Sequence, residues 1–301
     1  MNQVVSISFP NSISVHIKRD DLNHPFVSGN KLRKLKYNLL QAKSENQETL
    51  LTFGGAYSNH IAAVAYAGKE QGFKTIGIIR GDELADKISE NPTLLFAQKC
   101  GMQFEFVSRE DYRLKTEIPF LENLKKKFGD FYLVPEGGTN ELAVKGCQEI
   151  LTEEDSEFDF VCCAMGTGGT ISGIIKSVLP HQKVLGFPAL KGDFLKNEIR
   201  NFVPRSKDDN WELITDYHFG GYGKVTPELI TFINGFYAKT QIPLDPIYTG
   251  KMVFGVIDLI EKGYFPENSK ILLIHTGGLQ GIQGMNLKLQ KKQLPIIDIY
   301  V

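Results

Sequence analysis

The sequence has almost no net charge, since 34 Lys and Arg residues stand against 35 Asp and Glu residues, leaving -1 at pH 7. That balance offers no electrostatic reason to bind nucleic acid or an anionic membrane. The chain also lacks an apolar run near the roughly 20 residues that cross a bilayer, and it lacks the pattern of a secretory signal. We therefore expect a cytoplasmic protein with neither nucleic acid nor a membrane as its partner.

Cysteine is scarce, with four residues in 301, and none has the C-x-x-C spacing of a zinc or redox site. Cys162 and Cys163 are adjacent on a predicted strand, where successive side chains point to opposite faces. Together with Cys100 and Cys147 they are predicted to be buried free thiols in a reducing compartment. We expect no metal site.

Short β-rich runs alternate with helical stretches along the whole chain. The predicted strands are Thr49–Phe53, Thr75–Ile79, Gln103–Val107, Phe131–Val134, Phe158–Ala164, Lys183–Phe187 and Lys270–His275. The predicted helices include Ala62–Gln71, Pro92–Lys99, Phe120–Phe128, Glu141–Leu151, Pro227–Ala238 and Met252–Lys262. This alternation, with nearly continuous apolar strands, predicts an α/β protein with parallel sheets covered on both faces. Strand clusters before and after about Gly138 predict two domains with a cleft between them.

Three glycine-rich loops directly follow predicted strands, where open α/β sheets bind their ligands. In "GTGGT" (166–170) the glycines let consecutive backbone N–H groups point at one spot before a helix, which suits a phosphate. The hydroxyls of Thr167 and Thr170 add donors. The alternative is an ordinary tight turn, because the loop matches neither a Walker A motif nor, with Ile171 in third place, the dinucleotide fingerprint.

The other two loops allow a structural and a functional interpretation. In "GGAYSNH" (54–60), Ser58 or Asn59 caps the following helix, or the same helix start holds a substrate carboxylate with Asn59 near a ligand oxygen. His60 taken alone is more often a structural hydrogen-bonding residue. In "HTGG" (275–278), Thr276 caps a turn or faces a ligand ring atom.

The stretch "PFVSGNKLRKLKY" (25–37) places several cations in the first turns of a predicted helix, whose apolar stripe is formed by leucines. With Ser28 or Asn30 as the cap, Lys31 lies in the first turn. The positive end of the helix dipole, Arg33 and Lys34 then lower the pKa of Lys31. A lysine that loses its proton easily can form an imine with a carbonyl compound, whereas an ordinary lysine is a solvated surface charge.

One cofactor matches all of these candidate features: a phosphate cradle, a carboxylate loop, a ring-facing threonine and a nucleophilic lysine. Pyridoxal 5'-phosphate carries an aldehyde, a phosphate and a pyridine nitrogen, and each needs its own partner. The sequence thus predicts pyridoxal phosphate as the cofactor.

The motifs "VSGNKLRKLKY", "GGAYSNHIAA", "GTGGT", "DPIYTGK" and "HTGG", in this order, resemble the 1-aminocyclopropane-1-carboxylate deaminase / D-cysteine desulfhydrase family of fold-type II pyridoxal-phosphate enzymes. The resemblance implies a tryptophan synthase beta-subunit-like fold, with two open, mostly parallel twisted sheets covered by helices and the cofactor in the cleft. It implies a larger cofactor-binding domain of residues 1–35 and 144–301. Residues 36–143 then form a smaller domain that carries the Ser-Asn-His loop.

The same resemblance implies a role for each matching residue. Lys31 binds the cofactor covalently and moves the Cα proton. The carboxylate of a small amino-acid substrate is held by Ser58, Asn59 and His60, with Asn59 also near the phenolic oxygen of the cofactor. The phosphate cup consists of Gly166, Thr167, Gly168, Gly169 and Thr170. Thr276 faces the pyridine nitrogen, and the further active-site residues are Ser58, Tyr222 and Tyr248.

One departure separates members of this family. The deaminases have a glutamate after the tyrosine of the "YEGK" motif and a leucine before the final Gly-Gly, whereas this chain has Thr249 and Thr276. This combination resembles the desulfhydrase side, which converts D-cysteine to pyruvate, hydrogen sulfide and ammonia. The alternatives are deamination of 1-aminocyclopropane-1-carboxylate to 2-oxobutyrate and ammonia, or a non-catalytic protein that binds pyridoxal phosphate. By resemblance we also expect a homodimer.

Overall fold

The structure, a computed structural model, describes residues 1–192 and 194–299. Within this part ten strands form two sheets: a six-stranded sheet in the order β1-β2-β10-β7-β8-β9 and a four-stranded sheet in the order β5-β4-β3-β6. The strands are β1 Asn2–Val4, β2 Ser14–Lys18, β3 Thr49–Gly55, β4 Lys74–Arg80, β5 Gln103–Val107, β6 Tyr132–Val134, β7 Phe160–Met165, β8 Lys183–Pro188, β9 Trp211–Leu213 and β10 Lys270–Ile274.

The helices alternate with these strands. They are α1 Asn30–Ser44, α2 Asn59–Gln71, α3 Pro92–Lys99, α4 Ile118–Phe128, α5 Glu141–Cys147, α6 Gly169–Ser177, α7 Phe194–Arg200, α8 Pro227–Thr240, α9 Thr249–Glu261 and α10 Gly281–Lys291. Among the described residues no helix is long and apolar enough to span a bilayer.

Both sheets have the predicted parallel character. Every pair in the smaller sheet is parallel, and in the larger sheet the sole antiparallel pair of the described strands is β1 with β2. Five of the six residues of β7 and of β8 are buried, because helices cover both faces of the sheet. The predicted α/β fold with two helix-covered sheets is therefore confirmed.

All seven predicted strands are present, but several other elements were not predicted. β1 and β9 are three residues long, which is too short for a periodic pattern. α7 and α10 also went unpredicted. The predicted helix Glu141–Leu151 is wrong in its second half, because α5 ends at Cys147 and a 3-10 turn follows to Ile150.

Two helices link the regions that carry the two sheets. α1 and α5 pack so closely that a Cβ on Gly146 would lie 2.0 Å from the carbonyl oxygen of Arg33. The strands of the smaller sheet all fall within residues 49–134, inside the predicted smaller domain. The domain limits themselves stay a prediction, since the cuts after residues 35 and 143 fall inside α1 and α5.

Candidate active site

The loops that follow β3, β7 and β10 meet the start of α1 in one cleft. Parallel strands place their carboxyl ends at the same edge of a sheet, which explains why loops far apart in sequence converge. The predicted site residues that line this cleft are Lys31, Ser58, Asn59, His60, Gly166, Thr167, Gly168, Thr170, Tyr222, Tyr248 and Thr276. Gly169 does not line it, because it is buried in the first turn of α6.

The start of α1 packs closely against the backbone of the loop after β10. Gly29 is the N-cap at φ +65°, and a Cβ there would lie 2.1 Å from the carbonyl oxygen of Thr276. The predicted cap by Ser28 or Asn30 is wrong, because no side chain caps this helix. The Asn30 side chain instead donates to Thr170 Oγ1 at 2.7 Å, so α1 is also tied to the loop after β7.

Lys31 extends from this first turn of α1 into the cleft, where it is half-buried. Burial, and then the positive charge of Lys34, lower its pKa from 10.5 to about 7. The predicted lowering of the pKa is confirmed, but not the contribution of Arg33. The Arg33 guanidinium is paired with Asp20, with 2.9 Å between Nη2 and Oδ1.

Lys34 is the other lysine of this helix that reaches the cleft. Its buried Nζ donates to the carbonyl oxygen of Gly137 at 3.0 Å, to Thr139 Oγ1 at 2.9 Å and to Thr167 Oγ1 at 3.4 Å. These three contacts use all three donors of an ammonium group. Lys31 makes no side-chain hydrogen bond to any described residue, so its amine is the one available to a carbonyl compound.

The loop 166–170 is built to receive an anion. Gly168, at φ +84°, is the N-cap of α6 and supplies no side chain to the first amides of that helix. A Cβ on Gly166 would lie 3.2 Å from the hydroxyl of Tyr248, so glycine keeps the loop open on that side. Lys34 lies beneath, since a Cβ on Gly169 would be 3.2 Å from its Nζ. A helix start without a side-chain cap and a buried cation together fit a phosphate group.

The loop after β3 offers fewer free amides than predicted. Ser58 caps α2, and its Oγ accepts from the amides of His60 at 3.2 Å and Ile61 at 3.4 Å. The Ser58 amide itself donates to the carbonyl oxygen of Gly55 at 3.0 Å. The cap interpretation of Ser58 is therefore correct, and Asn59 supplies the backbone amide and side chain that remain for a carboxylate.

His60 lies at the base of this loop as a neutral hydrogen-bonding residue. Thr52 Oγ1 donates to the carbonyl oxygen of Val134 and lies 2.8 Å from His60 Nε2, which therefore acts as the donor to Thr52. Burial, followed by the charges of Lys31 and Lys34, holds the pKa of His60 well below its usual 6.5. The buried Nδ1 has no partner among the described residues. His60 thus faces the lysines without adding a positive charge.

Two tyrosines, Tyr222 and Tyr248, also line the cleft. The rings of Tyr222 and Tyr248 lie edge to face with 6.2 Å between their centroids. Burial raises the pKa of both hydroxyls, so each stays protonated near neutral pH and can donate a hydrogen bond. Thr276, 8% exposed, adds a neutral hydroxyl to the cleft floor.

Two buried residues that were not predicted hold these tyrosines in place. The carboxylate of Asp245 accepts from the backbone amides of residues 247, 248 and 249 at 2.8–2.9 Å and from Thr249 Oγ1 at 2.7 Å. Lys251 Nζ donates to the carbonyl oxygens of His218 at 2.9 Å and Gly221 at 3.0 Å, in the loop that carries Tyr222. An aspartate shortly before a helix start is a local capping signal that points to Asp245, whereas no local pattern reveals Lys251.

These features define a class of protein, an enzyme whose cleft receives a phosphorylated carbonyl cofactor. The loops at the carboxyl ends of the two sheets form the cleft, the amine with a lowered pKa reacts with the carbonyl, and the anion cradle holds the phosphate. The sequence model described as "Pyridoxal-phosphate dependent enzyme" matches residues 7–277. The chain belongs to this family and uses pyridoxal phosphate, within the branch of 1-aminocyclopropane-1-carboxylate deaminases and D-cysteine desulfhydrases.

Individual relatives span nearly the whole chain. A Pyrococcus horikoshii protein with the provisional name 1-aminocyclopropane-1-carboxylate deaminase is 33% identical over 287 residues, covering 89% of this chain and 85% of its own. The mitochondrial bifunctional D-cysteine desulfhydrase/1-aminocyclopropane-1-carboxylate deaminase of Arabidopsis thaliana is 31% identical. Its alignment covers 91% of this chain and 74% of the Arabidopsis protein. The crystal structure of an ACC deaminase homologue aligns with a TM-score of 0.81 at 30% identity. The alignment covers 97% of this chain and 93% of the homologue. The chain is accordingly an enzyme of the lyase/deaminase type.

The lowered pKa of Lys31 makes capture of the cofactor depend on pH. Only the neutral amine attacks an aldehyde, and the neutral fraction of a group with a pKa of about 7 rises as the pH passes through that value. We expect the apoenzyme to bind pyridoxal phosphate faster as the pH rises from about 6 to about 8, with a midpoint near 7, in stopped-flow absorbance.

The variant Lys34→Met provides the control for this pH profile. It removes the positive charge that helps to lower the pKa of Lys31, so the midpoint moves to higher pH. A wild-type midpoint above about 9 would show that Lys31 titrates like an ordinary lysine, contrary to this account.

Proposed function

We propose that this enzyme eliminates the β-substituent of a small amino acid, with D-cysteine as the preferred substrate and pyruvate, hydrogen sulfide and ammonia as the products. The observation that carries the proposal is the pair of threonines, Thr249 and Thr276, at the positions where the deaminase pattern has a glutamate and a leucine. Thr249 is fully buried and hydrogen-bonded to Asp245, whereas Thr276 lines the cleft.

Thr276 adds a neutral hydroxyl to the cleft, and Thr249 replaces the one acid of the deaminase pattern. Pyridoxal phosphate, when bound, stores the electron pair released at the substrate Cα. If Thr276 faced the ring nitrogen of the bound cofactor, its neutral hydroxyl would not protonate that nitrogen, and the ring would be a weaker electron acceptor. Elimination of a thiolate places a smaller demand on the ring than opening a carbon–carbon bond, because a thiolate is a good leaving group. The weaker acceptor therefore favours β-elimination.

Different residues of the chain then bind the substrate, accept its Cα proton and donate to the leaving group. The amide and side chain of Asn59, at the start of α2, bind and orient the substrate carboxylate. Lys31 Nζ, neutral above about pH 7, accepts the proton from the substrate Cα. Tyr222 and Tyr248, both protonated and both lining the cleft, position the substrate and donate to the departing sulfur.

The relatives favour one second candidate, deamination of 1-aminocyclopropane-1-carboxylate to 2-oxobutyrate and ammonia. The Pyrococcus protein carries that name alone, and the Arabidopsis protein carries both names. The two candidates require different bonds to break at the β-carbon, so their products separate them.

We expect the purified holoenzyme to release pyruvate and sulfide from D-cysteine with a kcat/KM at least about tenfold above that for 2-oxobutyrate release from the cyclopropane. The same assay with L-cysteine decides the stereochemical preference, and Lys31→Ala measures the background. A higher kcat/KM for 1-aminocyclopropane-1-carboxylate would assign the protein to the deaminases. The homodimeric state and the cytoplasmic location stay predictions.

A further inference from the structure

The rim of the cleft carries a cation, Arg80, that the reaction above does not use. Arg80 ends β4, and the strand register places it beside Gly55, where the loop leading to Asn59 begins. A Cβ on Gly55 would lie 3.8 Å from Arg80 Nη2, so the guanidinium reaches across the backbone of that loop. The side chain is exposed and forms part of the cleft lining.

Arg80 pairs with no carboxylate in the described part of the chain, residues 1–192 and 194–299. Its guanidinium lies 5.7 Å from the centroid of the Tyr112 ring. Glu136 also lines the cleft, but it accepts from the Tyr112 hydroxyl at 2.8 Å and lies 3.4 Å from Lys115 Nζ. The carboxylate on this rim is therefore already paired, while the guanidinium is not.

Arg80 lines the same cleft as Tyr222. Burial raises the pKa of Tyr222, the positive charge of Arg80 lowers it, and the negative charge of Glu136 raises it. Both charges thus act at the same hydroxyl inside the cleft. A ligand that fills the cleft beside Arg80 removes water from its guanidinium, which costs free energy unless the ligand supplies an oxyanion.

We propose that Arg80 binds an oxyanion at the far end of the substrate's β-substituent. Among substrates with leaving groups larger than that of D-cysteine, the enzyme then favours an amino acid whose leaving group carries a second negative charge, a carboxylate or a phosphate. This inference rests on the proposed β-elimination and extends it from D-cysteine to larger, anionic substituents. A planar guanidinium suits either group, because it donates two parallel hydrogen bonds to a pair of oxygens.

The chemistry balances without a redox partner. With an O-succinyl-serine, the Cα–H bond breaks and Lys31 takes the proton, while the Cβ–O bond breaks and its electron pair leaves with succinate. The remaining 2-aminoacrylate takes up one water and yields pyruvate and ammonia. With an O-acetyl-serine the same bonds break, and the leaving acetate has no second charge for Arg80 to bind.

This pair of esters provides the test. We expect the holoenzyme to release pyruvate from O-succinyl-D-serine or O-phospho-D-serine with a kcat/KM about 10- to 100-fold above that for O-acetyl-D-serine. The two anionic esters distinguish a carboxylate from a phosphate preference, and the L-enantiomers are assayed alongside. In R80M the ratio of anionic to neutral ester falls to about one, and in R80K, which keeps the charge, part of it returns. R109M is the matched control, because Arg109 pairs with Glu83 at the surface and does not line the cleft.

Each other outcome has a definite meaning. The enzyme could turn over O-acetyl-D-serine and the anionic esters at equal rates, with those rates unchanged in R80M. That result overturns the role of Arg80 and leaves the proposed elimination intact. An equal rise in KM for all esters in R80M means that Arg80 holds the shared carboxylate of the substrates, and this also overturns the inference. Failure of every ester and of cysteine to yield pyruvate rejects the proposed function itself.

Discussion

Replacing Lys31 with alanine is expected to lower turnover by at least about 10³-fold, because the variant loses both the covalent attachment of the cofactor and the base at Cα. The absorbance of the lysine-bound cofactor should disappear, while free pyridoxal phosphate is retained only as strongly as the phosphate cradle allows. Rapid mixing with substrate and absorbance spectroscopy of the dialysed protein measure the two losses separately.

Lys36→Ala is the matched control for this variant. Lys36 lies on the same helix, is exposed and pairs with Glu149 at 2.7 Å on the surface, so its removal should leave turnover and absorbance unchanged. An unaltered spectrum in Lys31→Ala would move the covalent attachment to another amine, and Lys34 would be the first residue to test.

Gly29→Ala is expected to destabilise the protein by about 3–5 kcal/mol and to weaken cofactor binding. The new Cβ would lie 2.1 Å from the carbonyl oxygen and 2.2 Å from the carbonyl carbon of Thr276. Because both are backbone atoms, no side chain can rotate to make room, and the start of α1 must separate from the loop after β10. Lys31 and Thr276 then lose their common support. Urea unfolding of the apoenzyme measures the stability, and titration with pyridoxal phosphate measures the affinity.

Gly72→Ala separates backbone strain from the clash. Gly72 ends α2 at φ +80°, but a Cβ there would meet nothing within 4 Å. Its substitution costs the strain of a positive φ alone, about 1 kcal/mol. Equal losses of stability in the two variants would mean that the contact between Gly29 and Thr276 contributes nothing beyond φ.

Local patterns in the sequence were sufficient for most of the fold. Strands such as β3 and β7 are nearly continuous in apolar residues, and helices such as α3 begin at a capping Asn followed by Pro. These signals depend on neighbours in the chain and can be recognised without any tertiary contact. β2 was not predicted, although Ser14–Lys18 alternates polar and apolar residues as a half-buried strand does. Lys18 is buried only because Asp155, 137 residues away, pairs with it at 2.6 Å.

The candidate site was found from the sequence to the extent that its motifs are short and continuous. The loops around Asn59, Gly166 and Thr276 and the lysine-rich helix start each lie within one stretch of chain. The partners that make them specific do not, since Lys34 bonds to residues 103–133 positions away in the sequence. Long-range partners leave no periodic signal, so the sequence could predict neither the paired state of Lys34 nor the lack of a carboxylate partner for Arg80 among the described residues.

The order of amino acids by itself determined the α/β class, the cofactor and the loops that receive it, because helix caps, strand patterns and glycine turns are properties of adjacent residues. The tertiary structure alone shows why Lys31, the lysine predicted from the sequence, is free to react while Lys34 is not. Lys31 and Lys34 are near neighbours on one helix, but folding buries Lys34 among three acceptors and leaves Lys31 facing the cleft with its pKa lowered to about 7. Burial and distant charges set that difference, and both arise from the packing of the two sheets.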